Sequence, residues 1–174
     1  MNAKGLAVSF LVICALLCLP DISTAQVCNP AIIATTPDAA FALNKDGTAT
    51  HRSTGLMWMR CSLGQSWDGK QCKGEATGFS WGGALQAAGK QAFAGHTDWR
   101  LPNKNELETI LEESCNSPAI NPRVFPATPP VYFWTSSPYS GLANGAWSID
   151  FGFGSVNASV KSGSLMVRLV RGGR

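Results

Sequence analysis

The chain has 174 residues, 45% of them apolar, 14% charged and 9% aromatic, with a formal net charge of +3 at pH 7. That is enough apolar material for one hydrophobic core, and it excludes intrinsic disorder. A balance of 14 basic against 11 acidic residues excludes a strongly basic nucleic-acid binder, and a single long apolar run excludes a multi-span membrane protein.

In the first segment, Met1 to Ala25, Lys4 precedes a mainly apolar run from Leu6 to Leu19, followed by Pro20 and the small-residue end Ser23-Thr24-Ala25. This is the pattern of a secretory signal peptide. The run is shorter than the roughly 20 residues a bilayer-spanning helix needs, so no membrane span is expected after cleavage near Gln26. Cys14, Cys18 and Cys28 follow Ile13, Leu17 and Val27, and none of these is the small residue of a lipid-attachment site. The expected destination is the periplasm or the cell exterior.

Export changes the meaning of the cysteines, because an oxidising compartment lets thiols pair. Cys28, Cys61, Cys72 and Cys115 remain, an even number with three connectivities. Zinc is the competing reading, but the four contain no close C-x-x-C pair. The favoured pairing is Cys61–Cys72, stapling a local loop, with Cys28–Cys115 tying the N-terminus to the end of a predicted helix. The longer closure removes roughly 4 to 5 kcal/mol of unfolded-state entropy.

Residues 26–40, interrupted by Pro30 and Pro37, form a lead-in segment, and 41–174 form a single domain. Phe41-Ala42-Leu43 and Thr48-Ala49-Thr50 flank Asn44-Lys45-Asp46-Gly47, where Asp-Gly supplies the positive φ angles of a tight hairpin. A third strand runs from Gly55 to Arg60 and enters the Cys61–Cys72 loop, which its Gly, Ser and Lys content marks as solvated. Ser80 caps a helix whose face is Trp81, Ala84, Leu85 and Ala88, with its end expected near Gly95. A second helix starts at a capping box, Asn103 at N-cap and Glu106 at N3, carries Leu107, Ile110 and Leu111, and stops before Asn116. Five prolines between Cys115 and Pro130 predict a long irregular loop. Trp147, Ile149, Phe151 and Phe153, then Val156, Ala158 and Val160, then Leu165 to Val170 predict an antiparallel meander with one buried face. The class is α+β: antiparallel sheets, two short helices and disulfide staples.

Thr54-Gly55-Leu56-Met57-Trp58, Asp98-Trp99-Arg100-Leu101-Pro102-Asn103, Pro118-Ala119-Ile120-Asn121, Phe133-Trp134-Thr135-Ser136-Ser137 and Val167-Arg168-Leu169-Val170-Arg171 stand in that order. These blocks resemble the Lcl C-terminal domain family, named after the Legionella collagen-like adhesin. The resemblance implies a C-type-lectin-like fold in extracellular or envelope proteins and no established catalytic residue. The adhesin itself binds sulfated glycosaminoglycans as a trimer. This chain has no collagen-like repeat. Where calcium-dependent lectins carry Glu-Pro-Asn and Trp-Asn-Asp, it has Leu101-Pro102-Asn103 and Trp147-Ser148-Ile149-Asp150, so no metal site and no cofactor are expected.

The chemistry-bearing residues mostly have structural readings. Gly78-Phe79-Ser80-Trp81-Gly82 matches a nucleophile elbow formally, but no buried strand precedes it, and the order Ser80, His96, Asp98 is wrong for that fold. The only histidines are His51 and His96, without carboxylate clusters around them. Glu106, Glu108, Glu112 and Glu113 fall on the second predicted helix, where solvated side chains are expected. Arg100 and Arg168, set among apolar residues, are expected to bury their stems and pair with Asp98 and Asp150. Trp58, Trp99, Trp134 and Trp147 are core candidates. Tyr139 lies in the polar loop Ser136–Gly145 and is the better candidate for an exposed binding residue. Past Asp150 the chain carries Lys161, Arg168, Arg171 and Arg174 and no acid, a locally positive end.

The leading functional expectation is therefore an exported, non-enzymatic recognition module for a glycan or polyanion, with Tyr139, Asn144, Lys161 and Arg171 as candidate contacts. An envelope-structural or assembly protein with a protein partner is the second reading, and a hydrolase of polysaccharide or cell wall the third. Nucleic acid is not an expected partner. The sequence does not fix oligomeric state.

Overall fold

A computed structural model describes residues 25–172. The signal-peptide reading, Met1 to Ala25, lies outside the described residues except for Ala25, and Arg174 at the basic end lies outside them too. In chain order the elements are β1 (Val27–Cys28), β2 (Phe41–Leu43), β3 (Thr48–His51), β4 (Met57–Met59), β5 (Ser66–Trp67), β6 (Cys72–Lys73), α1 (Trp81–Gly89), α2 (Lys104–Glu108), β7 (Cys115–Asn116), β8 (Tyr132–Pro138), β9 (Gly145–Asp150), β10 (Ser155–Val160) and β11 (Val170–Arg171). A four-stranded sheet has the order β11-β4-β3-β2, and a three-stranded sheet has the order β10-β9-β8. The short pairs β1-β7 and β5-β6 complete the topology, and every pairing is antiparallel. The α+β class holds, with both disulfides, Cys28–Cys115 and Cys61–Cys72, formed.

Successive strand side chains point to opposite faces, so neighbours along β4, β8 and β9 enter two different cores. Trp58, Phe133, Ile149 and Val170 pack with Leu107 of α2 in one cluster. Met59, Trp134, Ala146 and Leu169 pack with Ala84 and Ala88 of α1 in the other. The two helices thus cover opposite faces of the three-stranded sheet, which corrects the expectation of a single buried face. The C-terminal run also departs from a simple meander. Leu165 bridges Phe79, Met166 runs parallel to Phe133, and Val170–Arg171 crosses to pair with β4.

Local signals predicted element starts well. Ser80 caps α1 by accepting from Gly83 N, and Asn103 with Glu106 forms the full capping box of α2. The ends differ. α1 stops at Gly89, a weak helix former, and Gly95 with φ +76° serves the turn in which Phe93 and His96 exchange backbone hydrogen bonds. Leu85, expected on the buried face with Ala84 and Ala88, is exposed. α2 has only five residues, because Ile110 and Leu111 leave the helix to enter the core and Glu112 N donates to Ala119 O. Glu112 and Glu113 are therefore not helical. The Cys61–Cys72 loop is also less solvated than its composition implies: Cys61, Ser62, Leu63 and Cys72 are buried, and β5-β6 forms a hairpin within it.

The β2-β3 hairpin turns at Gly47, with φ +88°. A Cβ there would lie 2.6 Å from Trp67 Cγ, and Trp67 is itself held by its Nε1–H donating to Lys45 O and by the Arg60 guanidinium 4.3 Å from its ring. Gly47→Ala is expected to lower the unfolding free energy by about 2 kcal/mol, from left-handed strain plus the displaced ring. Thermal unfolding measures it.

Candidate ligand-binding surface

Two guanidinium groups hold the proline-rich stretch against the sheet. Prolines remove backbone donors, so a loop such as 118–130 is left with carbonyls that regular pairing does not satisfy. Arg60 donates Nε to Val124 O and Nη2 to Arg123 O. Arg168 is fully buried and donates Nη1 to Met59 O and Arg60 O, and Nη2 to Ser62 Oγ and Thr128 Oγ1. Its guanidinium carbon lies 4.8 Å from the Phe125 ring centroid. Burial pushes the pKa of Arg168 down to about 9, which leaves it a cation at neutral pH.

These contacts correct the expected ion pairs. Among the described residues no carboxylate pairs with Arg168, and Asp150 instead accepts from Gly152 N. Arg100 forms a bidentate pair with Glu106 at 2.7 Å, not with Asp98, and Glu106 serves the capping box as well. Asp98 pairs with Arg171, whose Nε lies 2.7 Å away and holds the Asp98 carboxyl below its ordinary range. Trp58, Trp99 and Trp134 are buried in the core.

Glu112 is a further correction, since it is buried with 4% exposure. Its carboxylate accepts from the N–H and hydroxyl groups of Thr35, Thr36 and Ser114. Burial works against the charge, but these donors outweigh it and hold the pKa at about 2. It lies at the wall of a cleft of about 250 Å³ that Gln26, Asp38, Asn121 and Arg123 also line. Its acceptor capacity is taken up, so the carboxylate ties residues 35–36 to the domain and offers the cleft no free group.

The candidate contacts converge only in part. Tyr139, Asn144 and Lys161 meet at one end of the three-stranded sheet, because Tyr139 N donates to Gly145 O and Lys161 N donates to Asn144 O. Arg171 is on β11, in the other sheet, bound to Asp98 and against Met57 Sδ. Tyr139 is half-buried rather than exposed, stacked edge-on to Trp147 with ring centroids 4.6 Å apart. Sequence reasoning passed over three members of this surface. Trp147 is half-buried, and Lys104 Nζ, paired with Glu108, lies 5.6 Å from its ring centroid. On the α1 side, Lys161 Nζ lies 4.5 Å from the Trp81 ring, and Trp81 Nε1 donates to Thr135 O. No local pattern marks these residues; strand register together with the packing of α1 and α2 against the three-stranded sheet assembles them.

The surface offers aromatic rings beside ammonium groups and loop amides, which is binding chemistry. Ser80 Oγ accepts from a helix backbone N–H, and His51 Nδ1 bonds Thr54 Oγ1 while its ring packs on Phe41. Among the described residues no three His, Cys, Asp or Glu side chains come together as a metal-binding group, and no helix is long and apolar enough to cross a membrane.

No curated protein matches the chain. A family model does match, over residues 47–171, and it spans all five sequence blocks, including the buried Trp58, Trp134 and Arg168 and the Arg100–Glu106 and Asp98–Arg171 pairs. The chain belongs to the Lcl C-terminal domain family.

Proposed function

We propose that this is an exported recognition domain of C-type-lectin-like build that binds an acidic glycan at the end of its three-stranded sheet, and that it is not an enzyme. The two disulfides and the adhesin-associated family fit an exported protein. Short helices against antiparallel sheets support the lectin-like build. The observation that carries the ligand reading is the pair of aromatic–ammonium groups, Trp147 with Lys104 and Trp81 with Lys161, flanking the Tyr139–Asn144 loop. Aromatic faces stack on sugar rings and ammonium groups meet sulfate or carboxylate.

Lys104→Ala combined with Lys161→Ala is expected to weaken heparin binding roughly tenfold, with the melting temperature nearly unchanged, since half-buried surface pairs of this kind contribute about 1 kcal/mol or less each. Arg171→Ala leaves affinity within about twofold, because β11 places it in the four-stranded sheet, away from this end of the three-stranded one. Binding falls steeply with salt, as exposed charges are screened within about 8 Å at physiological ionic strength. A chain that heparin and an acidic-glycan array fail to retain at low salt refutes the reading. An envelope-protein partner is the second reading, favoured by the exposed Val27, Ile32 and Phe153 around Cys28–Cys115.

A further inference from the structure

We propose that the outer edge of β10 is a self-association site, onto which a second copy of the chain adds its own β10 in antiparallel register. This does not depend on the glycan reading. β10 ends the three-stranded sheet, and its six residues pair with β9 without a register break. Lys161 N donates to Asn144 O just beyond the strand, which makes that a hydrogen-bonded pair. Alternation along the ladder then turns the backbone groups of Ser155, Asn157 and Ser159 toward β9, and the N–H and C=O of Val156 and Ala158 outward. No strand among the described residues takes up these outward groups.

The other edges of the two larger sheets are closed or short. Met166 bonds along β8, Arg100 bonds along β11, and β2 has three residues. Native edges are usually blunted by a charge, a proline, a bulge or a covering segment. Ser155–Val160 carries no charge and no proline, and Phe151, Gly152, Phe153 and Gly154 before it are uncharged too.

A second copy fits this edge better than an arbitrary extended peptide does, because β10 is self-complementary. Val156 and Ala158 sit opposite Ile149 and Trp147 and share their face, while Ser155, Asn157 and Ser159 share the face of Ser148, whose hydroxyl meets that of Ser159. A twofold axis normal to the sheet and passing beside Asn157 keeps these faces in place. Val156 of each copy then pairs with Ala158 of the other, giving four main-chain hydrogen bonds, with apolar stripe continuing apolar stripe and polar continuing polar. No like charges are brought together.

Sedimentation of the purified, oxidised chain over about 10 μM to 1 mM is expected to show a monomer–dimer equilibrium. Ala158→Pro deletes an N–H that the chain's own sheet does not use and so weakens dimerisation at least tenfold without a large loss of melting temperature. Asn157→Cys is the positive test. The axis places it opposite itself in a non-hydrogen-bonded pair, with Cα atoms about 4.5 Å apart, so it forms a covalent dimer without reductant. Ser155→Cys, about 13 Å from its own copy, does not. If Ala158→Pro fails to fold, the cysteine pair decides alone. A chain that is monomeric throughout this range overturns the proposal, and so does a dimer in which Asn157→Cys fails to cross-link.

Discussion

Denaturant unfolding of the oxidised protein is expected to show about 3 kcal/mol of stability disappearing between pH 5 and pH 2, carried by the buried Glu112 carboxylate. The sign follows from the direction of the shift. The folded-state pKa is about 2, below the 4.5 of an unperturbed glutamate. The unfolded chain therefore binds the proton first as the pH falls, and the stabilisation, complete above the unfolded value, is lost on the way to the folded one. Glu106 contributes in the same direction, since hydrogen bonds from Arg100 and from Asn103 N outweigh its burial. Glu112→Gln is expected to lower the unfolding free energy at pH 7 by about 3 kcal/mol, roughly 10 °C in melting temperature. It also flattens the acid limb, because an amide has one acceptor oxygen and its NH₂ faces groups that are themselves donors. Exposed Glu113→Gln changes neither. A Glu112→Gln variant with the wild-type acid limb refutes the assignment.

The same residue shows where the sequence was legible and where it was not. The Asp46-Gly47 turn, the Ser80 cap and the Asn103/Glu106 capping box were readable because each is satisfied within four residues. The donors of Glu112 include Thr36, 76 residues earlier in the chain. Nothing in the local pattern distinguishes it from Glu113, its exposed neighbour, so helix periodicity carried α2 several residues too far and placed both glutamates in solvent. Pairing the four cysteines was possible because the signal-peptide reading set Cys14 and Cys18 aside and left only three connectivities.

The candidate surface was half readable for the same reason. Tyr139 and Asn144 share a loop whose composition announces it. Lys161 reaches it through the β9–β10 register, and Trp147 and Lys104 meet only because α2 packs on that face of the sheet. Arg171, counted with them as a positive charge near the C-terminus, crosses to the four-stranded sheet, where Asp98 takes it up. Charge counts along a chain do not register such partners.

Arg168→Ala is expected to cost about 4 kcal/mol, the other large single-residue effect in this protein. The guanidinium bonds the carbonyls of Met59 and Arg60, more than 100 residues away, and at the same time Thr128 from the proline-rich loop. Removing it leaves buried acceptors unsatisfied and opens a cavity between Phe125 and Phe133. Arg168→Lys separates charge from geometry: one compact ammonium cannot span two carbonyls and two hydroxyls, so it is expected to lose about 2 to 3 kcal/mol although the charge is kept. Arg168→Met restores volume without donors and falls between alanine and wild type. Thr128→Val, which deletes one of the four acceptors, costs about 1 kcal/mol. In the Arg168→Ala background the cost of Thr128→Val shrinks, because its partner is already gone. Chemical denaturation of the four single variants and the double variant measures the series. If Arg168→Lys matches wild type, charge alone holds the site and the bonding scheme is wrong; if all the single variants match wild type, the proline-rich loop is held by Arg60 and the apolar contacts of Val124 and Phe125 without help from Arg168.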